Sequence, residues 1–118
     1  MSSFKPSLVI VSTSIDHSRA ARRLARMIIA ERLAACVQTF PIRSLYRWKG
    51  NVASSPEVLI SAKTTARRAK ALMAFIQRHH PYELPEILVT PVMNALDDYR
   101  DWVERETRSV PTGRSTMK

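Results

Sequence analysis

Apolar positions in this chain switch between a period of about 2 and a period of about 3.6, and the switches mark out its elements. Ser7–Thr13 is a compact β-branched run and predicts a buried strand. Ala21, Leu24, Ala25 and Ile28 then fall at i, i+3, i+4 and i+7, the stripe of a helix ending near Arg32. Ser14 is its expected cap, and Asp16 suits its first turn. Ala34–Trp48 predicts a long strand interrupted at Pro41, which places it at a sheet edge or a bulge. Lys49-Gly50-Asn51 is a turn, and Glu57–Thr64 a third strand whose start Ser54-Ser55-Pro56 shortens. Thr65 caps a second helix carrying Ala69, Leu72, Met73 and Ile76, which His79-His80-Pro81 ends. Glu86–Val92 is a fourth strand. Asp97 and Asp98 open a third helix with Tyr99, Trp102 and Val103 on its inner side. Residues 1–6 read as a loose terminus, and the stretch from 108 to 118 as a disordered tail after a single domain over 1–107.

The order β-α-β-β-α-β plus a C-terminal helix is the split βαβ, ferredoxin-like arrangement, an α+β sandwich. Two helices would cover one face of a four-stranded sheet. The other face keeps apolar residues such as Leu59, and an open apolar face or a long edge strand needs a partner, so a homo-oligomer is expected.

Composition narrows the function classes. A chain of 118 residues has room for one core. Its only glycines are Gly50 and Gly113, too few for a Gly-rich phosphate loop or a dinucleotide fingerprint. Cys36 is the only cysteine, which excludes an intrachain disulfide and a Cys-based zinc site. Leu8–Val11 is too short for a signal peptide's apolar region or a membrane span, so a cytoplasmic protein is expected, with no membrane partner. The net charge of +9 points toward anionic partners in general. Its two main groups, Arg19, Arg22, Arg23 and Arg26, and Arg67, Arg68, Lys70 and Arg78, alternate with apolar residues at helical spacing and read first as solvated helix faces. Base stacking on a ferredoxin-like sheet needs aromatics in the central strands, and Val58–Lys63 has none, so nucleic acid is not an expected partner. No Ser-His-Asp or Cys-His arrangement is suggested, and a binding protein is expected rather than an enzyme.

The densest chemistry lies in His80-Pro81-Tyr82-Glu83-Leu84-Pro85-Glu86. Two prolines stiffen a segment holding an imidazole, a phenol and two carboxylates, which suits a cation or a small ligand. His80 is the first candidate metal ligand, with Glu83 and Glu86 to complete or orient a site. The alternative is that His80 bonds to backbone and the glutamates pair with Lys63 or an arginine. Cys36 is a candidate soft ligand, although a lone cysteine between Ala35 and Val37 suits a core position as well. Tyr46 and Trp48 share one strand face by alternation. With Lys63, Tyr82 and Trp102 they are candidates to line a pocket between subunits, or to anchor the interface itself.

Five segments resemble one family. Arg32–Val37 (RLAACV), Ser44–Gly50 (SLYRWKG), Lys63-Thr64, His80–Glu86 (HPYELPE) and Tyr99–Val103 (YRDWV) are similar, in order and spacing, to the motifs of the CutA divalent-cation tolerance family. The chain departs from the family's usual pattern in having one acid in Val52–Glu57 and Asn94-Ala95 before the last helix. The resemblance implies a cytosolic, ferredoxin-like homotrimer associated with the response to metal ions. It implies binding of copper or another divalent cation and no organic cofactor. A trimer of this kind also resembles the PII signalling proteins, which implies an alternative role as a ligand sensor or partner-binding module with an intersubunit pocket.

Overall fold

A computed structural model describes residues 7–108. The expected loose N-terminus over 1–6, and the expected tail apart from Arg108, lie outside the described residues. Four strands, β1 (Leu8–Ile15), β2 (Cys36–Trp48), β3 (Asn51–Thr65) and β4 (Ile87–Pro91), make one sheet in the order β2-β3-β1-β4. All three pairings are antiparallel. Helices α1 (Ser18–Ala30), α2 (Ala69–His79) and α3 (Asp97–Glu106) complete the split βαβ topology with its extra C-terminal helix. Among the described residues no helix is long and apolar enough to cross a membrane.

Alternation decides what each sheet face meets. Val9, Val11 and Ile15 of β1 and Ile60 and Ala62 of β3 point to one side. There they pack on Ala21, Leu24 and Ile28 of α1 and on Leu72, Phe75 and Ile76 of α2. Full burial of each larger aliphatic stabilises the fold by about 1.5–3 kcal/mol before entropy is counted. The opposite side carries Ile10, Phe40, Leu59 and Leu88, and α3 covers only its far end. Val103 of α3 is fully buried, and Tyr99 lies beside Cys36.

β2 and β3 outrun the rest of the sheet. The β1 register ends at Ile15 opposite Val58, whereas β2 and β3 stay paired to Trp48 opposite Asn51. The overhang is a two-stranded ribbon closed by Lys49 and Gly50, with φ values of 52° and 83°. Two consecutive left-handed residues make the turn whose twist matches a hairpin. Leu45 and Val52 on this ribbon are 70% and 66% exposed.

Three boundaries differ from the sequence reading. Ser14 belongs to β1 and is buried, so α1 is capped instead by His17, whose Nδ1 accepts from the Ala20 N–H at 3.3 Å. β3 begins at Asn51 rather than Glu57, because Pro56 lies in the overhang, where β3 has only β2 beside it and one edge free. Pro41 sits in an edge strand for the same reason. Thr65 does cap the helical segment after β3, but through a 3-10 turn at Ala66–Arg68, and α2 proper starts at Ala69.

α1 ends in a Schellman motif: Leu33 N–H bonds to Ile28 O and Arg32 N–H to Ile29 O. The left-handed position, usually glycine, is Arg32 at φ 56°. Its guanidinium donates to the carbonyls of Arg105 and Arg108, each at 2.9 Å, and so ties down the C-terminal end of α3. Backbone strain at Arg32 is thereby exchanged for a clamp. Both Arg32→Ala and Arg32→Gly should lower stability by losing the clamp. Glycine removes the strain and alanine keeps it, so urea unfolding should place the glycine variant about 1 kcal/mol above the alanine variant.

Candidate functional site

At the end of the sheet opposite α3, the ribbon and the connector between α2 and β4 enclose an open groove of about 790 Å³. Glu57 lies at its base, only 9% exposed. A carboxylate in a strand that also carries Val58 and Ile60 must find donors or neutralise. It finds them: Ser44 Oγ donates to Oε1 and the Tyr82 phenol to Oε2, both at 2.6 Å. Burial pushes the Glu57 carboxyl up, but the bonds from Ser44, Tyr82 and Ser14 and the nearby His80 outweigh it and leave it below its ordinary value. Burial, and then the bond to Glu57, push the Tyr82 phenol well above the ordinary tyrosine range.

His80 stands beside this cluster and is 8% exposed. Its Nδ1 accepts from the Tyr82 N–H at 3.1 Å, and its Nε2 faces the Ser14 carbonyl at 2.9 Å. An amide can only donate and a carbonyl can only accept, so the ring is neutral with the proton on Nε2. Burial lowers its proton affinity, against the opposing pull of Ser14, Glu57 and Asp16. Both nitrogens therefore serve the fold: His80 pins the connector to β1, and Pro81 and Pro85 keep it stiff.

The structure brings some of the predicted residues together and separates others. Tyr46, Trp48 and Tyr82 line the groove, as do Glu83 and Glu86 on its rim. Lys63 and Trp102 do not. Lys63 lies six residues along β3 from Glu57, roughly 20 Å at strand rise, and bonds to Gln38 and Ser61. Trp102 packs against Tyr99 on α3, with ring centroids 5.5 Å apart. Cys36 pairs with Lys63 at that far end, about 13 Å along the strands from the position level with Ser14. It cannot share an ion with His80, Glu83 and Glu86. Among the described residues no three His, Cys, Asp or Glu side chains come close enough to hold a metal ion. Glu57, Ser14 and Asp16 are site residues that motif reading passes over, and Ser44 lies in the SLYRWKG segment without standing out as a site residue. The available signal was Glu57 itself, the only acid between Glu31 and Glu83.

The groove is acidic on a basic protein. Asp16, Glu57, Glu83 and Glu86 line it against one cation, Arg43, whose Nη1 donates to Ser54 at 3.0 Å. Fold and groove together define a ferredoxin-like α+β domain, with aromatic and carboxylate groups at one end of the sheet. Comparison with known proteins is specific. The sequence profile of the "CutA1 divalent ion tolerance protein" family matches residues 9–106. A divalent-cation tolerance protein CutA from Yersinia pestis (strain Pestoides F) is 37% identical over 102 residues, covering 86% of this chain and 85% of that one. The structure of CutA from Synechococcus elongatus PCC7942 superposes with a TM-score of 0.85 at 36% identity, covering 88% of this chain and 93% of that one. A "PII-like protein CutA" from Nostoc sp. PCC 7120 superposes with a TM-score of 0.82 at 36% identity, covering 86% and 99%. This chain belongs to the CutA divalent-cation tolerance family.

The cluster sets the pH response of the fold. His80 and Glu57 have folded-state values below their ordinary 6.5 and 4.5, so their contributions are present above those values and fade as pH falls through the folded ones. Tyr82 is raised from 10.0, so its contribution is present below that value and lost in stronger base. Melting temperature against pH should show a plateau around neutrality with an acid flank beginning below 6.5, and His80→Gln should remove the first part of that flank. Tyr82→Phe leaves a largely buried carboxylate short of a donor and should cost about 1–3 kcal/mol in urea unfolding.

Proposed function

We propose that this protein acts in the cytoplasm as a homotrimer that takes up divalent cations, copper among them, as its part in cation tolerance. The observation that carries this reading is the groove, whose walls include exposed Glu83, Glu86 and Asp16 as well as Glu57 on a chain of net charge +9. Carboxylates facing an open groove draw in a divalent cation, and imidazole suits copper. His80 joins as a ligand by exchanging its bond with the Tyr82 N–H for the metal. One subunit supplies an incomplete set, and a neighbouring copy completes it. The exposed ribbon residues Leu45, Trp48 and Val52, next to the groove, support such an assembly. Three copies is the number the family resemblance implies. The role is binding rather than catalysis.

A second reading is a PII-like ligand sensor or partner-binding module. Tyr46, Trp48 and Tyr82 favour it, since aromatic walls around an open groove suit a small organic ligand more than a bare ion. Native mass spectrometry during a copper(II) titration, with magnesium as control, separates the two. The first reading expects a trimer with a fixed copper count that falls in His80→Ala and in Glu83→Gln/Glu86→Gln. Graded uptake, unchanged in both variants, would remove metal from the groove and leave the ligand reading.

A further inference from the structure

The fold sorts charge by layer. α1, the 3-10 turn and α2 contain no aspartate or glutamate at all. Arg19, Arg22, Arg23 and Arg26 stand at i, i+3, i+4 and i+7 on α1, a single exposed stripe roughly 10 Å long. Their apolar counterparts Ala21, Leu24 and Ile28 are buried in the core, so the stripe faces away from the sheet. Arg67, Lys70 and Arg78 are exposed on the neighbouring segment. α2 packs beside α1 and runs against it, since each follows one of two antiparallel strands. A cationic stripe on α1 and three further exposed cations on the segment beside it therefore share the helix layer, whose axes pack about 8–10 Å apart.

Among the described residues no carboxylate pairs with them. The one ion pair among the described residues is Arg100–Asp97, on α3. Glu31 caps the C-terminal end of α1; the other nine acids sit elsewhere, five on α3, and Asp16, Glu57, Glu83 and Glu86 at the groove. A face that served only for solubility would interleave both signs. Here the like charges repel one another, at a cost that an external polyanion would lift.

We infer that the outer surface of α1 and α2 binds the phosphate backbone of duplex nucleic acid without reading its sequence. Charge complementarity selects a polyanion, and arginine forks suit phosphate oxygens. The lack of exposed aromatics selects a duplex over a single strand, because single-strand binders stack bases on aromatic rings. Phe75 of α2 is buried, and the exposed aromatics Phe40, Tyr46, Trp48 and Tyr99 lie on β2 and α3, away from this surface. A lipid surface fits less well, since the apolar side of α1 is already spent on the core and cannot insert. The reading of these arginines as a solvated face follows from their spacing alone. It does not include the acid-free second helix that the fold sets beside them. The inference is independent of the metal reading, because it uses the opposite side of the sheet.

Fluorescence anisotropy of the full chain with a labelled duplex of about 20 base pairs tests it. With about four phosphates contacted, the log–log salt slope should be about −3.6, a loss of about 150-fold in affinity between about 50 and about 200 mM salt. Arg22→Gln/Arg26→Gln should reduce the slope by about 2. Arg47→Gln/Lys49→Gln, which removes the same charge from the ribbon tip, should leave it unchanged. Equal effects of the two double variants would reduce the binding to net charge and overturn the assignment. So would absence of binding at about 50 mM salt, tighter binding to a single strand, or binding to anionic vesicles with none to the duplex. All the substituted side chains are exposed, and unchanged melting temperatures confirm folding.

Discussion

Glu57 holds the functional end of the molecule in shape. Its two oxygens join Ser44 on the ribbon to Tyr82 on the connector, and His80 joins that connector to β1. Without these bonds the ribbon would be a two-stranded extension, a form that is marginal by itself in water. With them, a carboxylate that would be costly to bury becomes the point where β1, β2, β3 and the connector meet. The groove exists because that junction keeps the ribbon and the connector apart at a set spacing.

The same sheet separates two electrostatic worlds. On one side, helices without a single acid carry cations to the surface. On the other, the groove and α3 collect nine of the ten acids of the chain, all but Glu31. A net charge of +9 describes neither side. A cation approaching the groove meets a local potential opposite in sign to the average, and an anion is steered to the helix layer.

Much of the fold was legible because the periods are clean. Four strands, three helices, the hairpin turn and the edge position of β2 all follow from residues at the right spacing, with Pro41 and Gly50 as punctuation. Tyr46 and Trp48 share a face because alternation requires it. What spacing does not carry is register between distant strands. Lys63 and Tyr82 look equally available to Tyr46, yet the pairing of β3 with β2 sends Lys63 to the far end beside Cys36. Pro56 reads as a strand breaker until the overhang shows that β3 has a free edge there. His80 reads as a ligand because its partners, a backbone carbonyl 66 residues away and a nearby amide, leave no mark in composition.

Arg32 reaches α3 through main-chain carbonyls, and every helix end presents such carbonyls whatever its side chains. The grip is therefore nearly blind to sequence. Apart from buried Val103 and the packed Tyr99 and Trp102, the C-terminal helix is free to drift in composition while remaining docked. Its five acids among ten residues can be exchanged as a block, as one might change the label on a drawer without refitting the drawer.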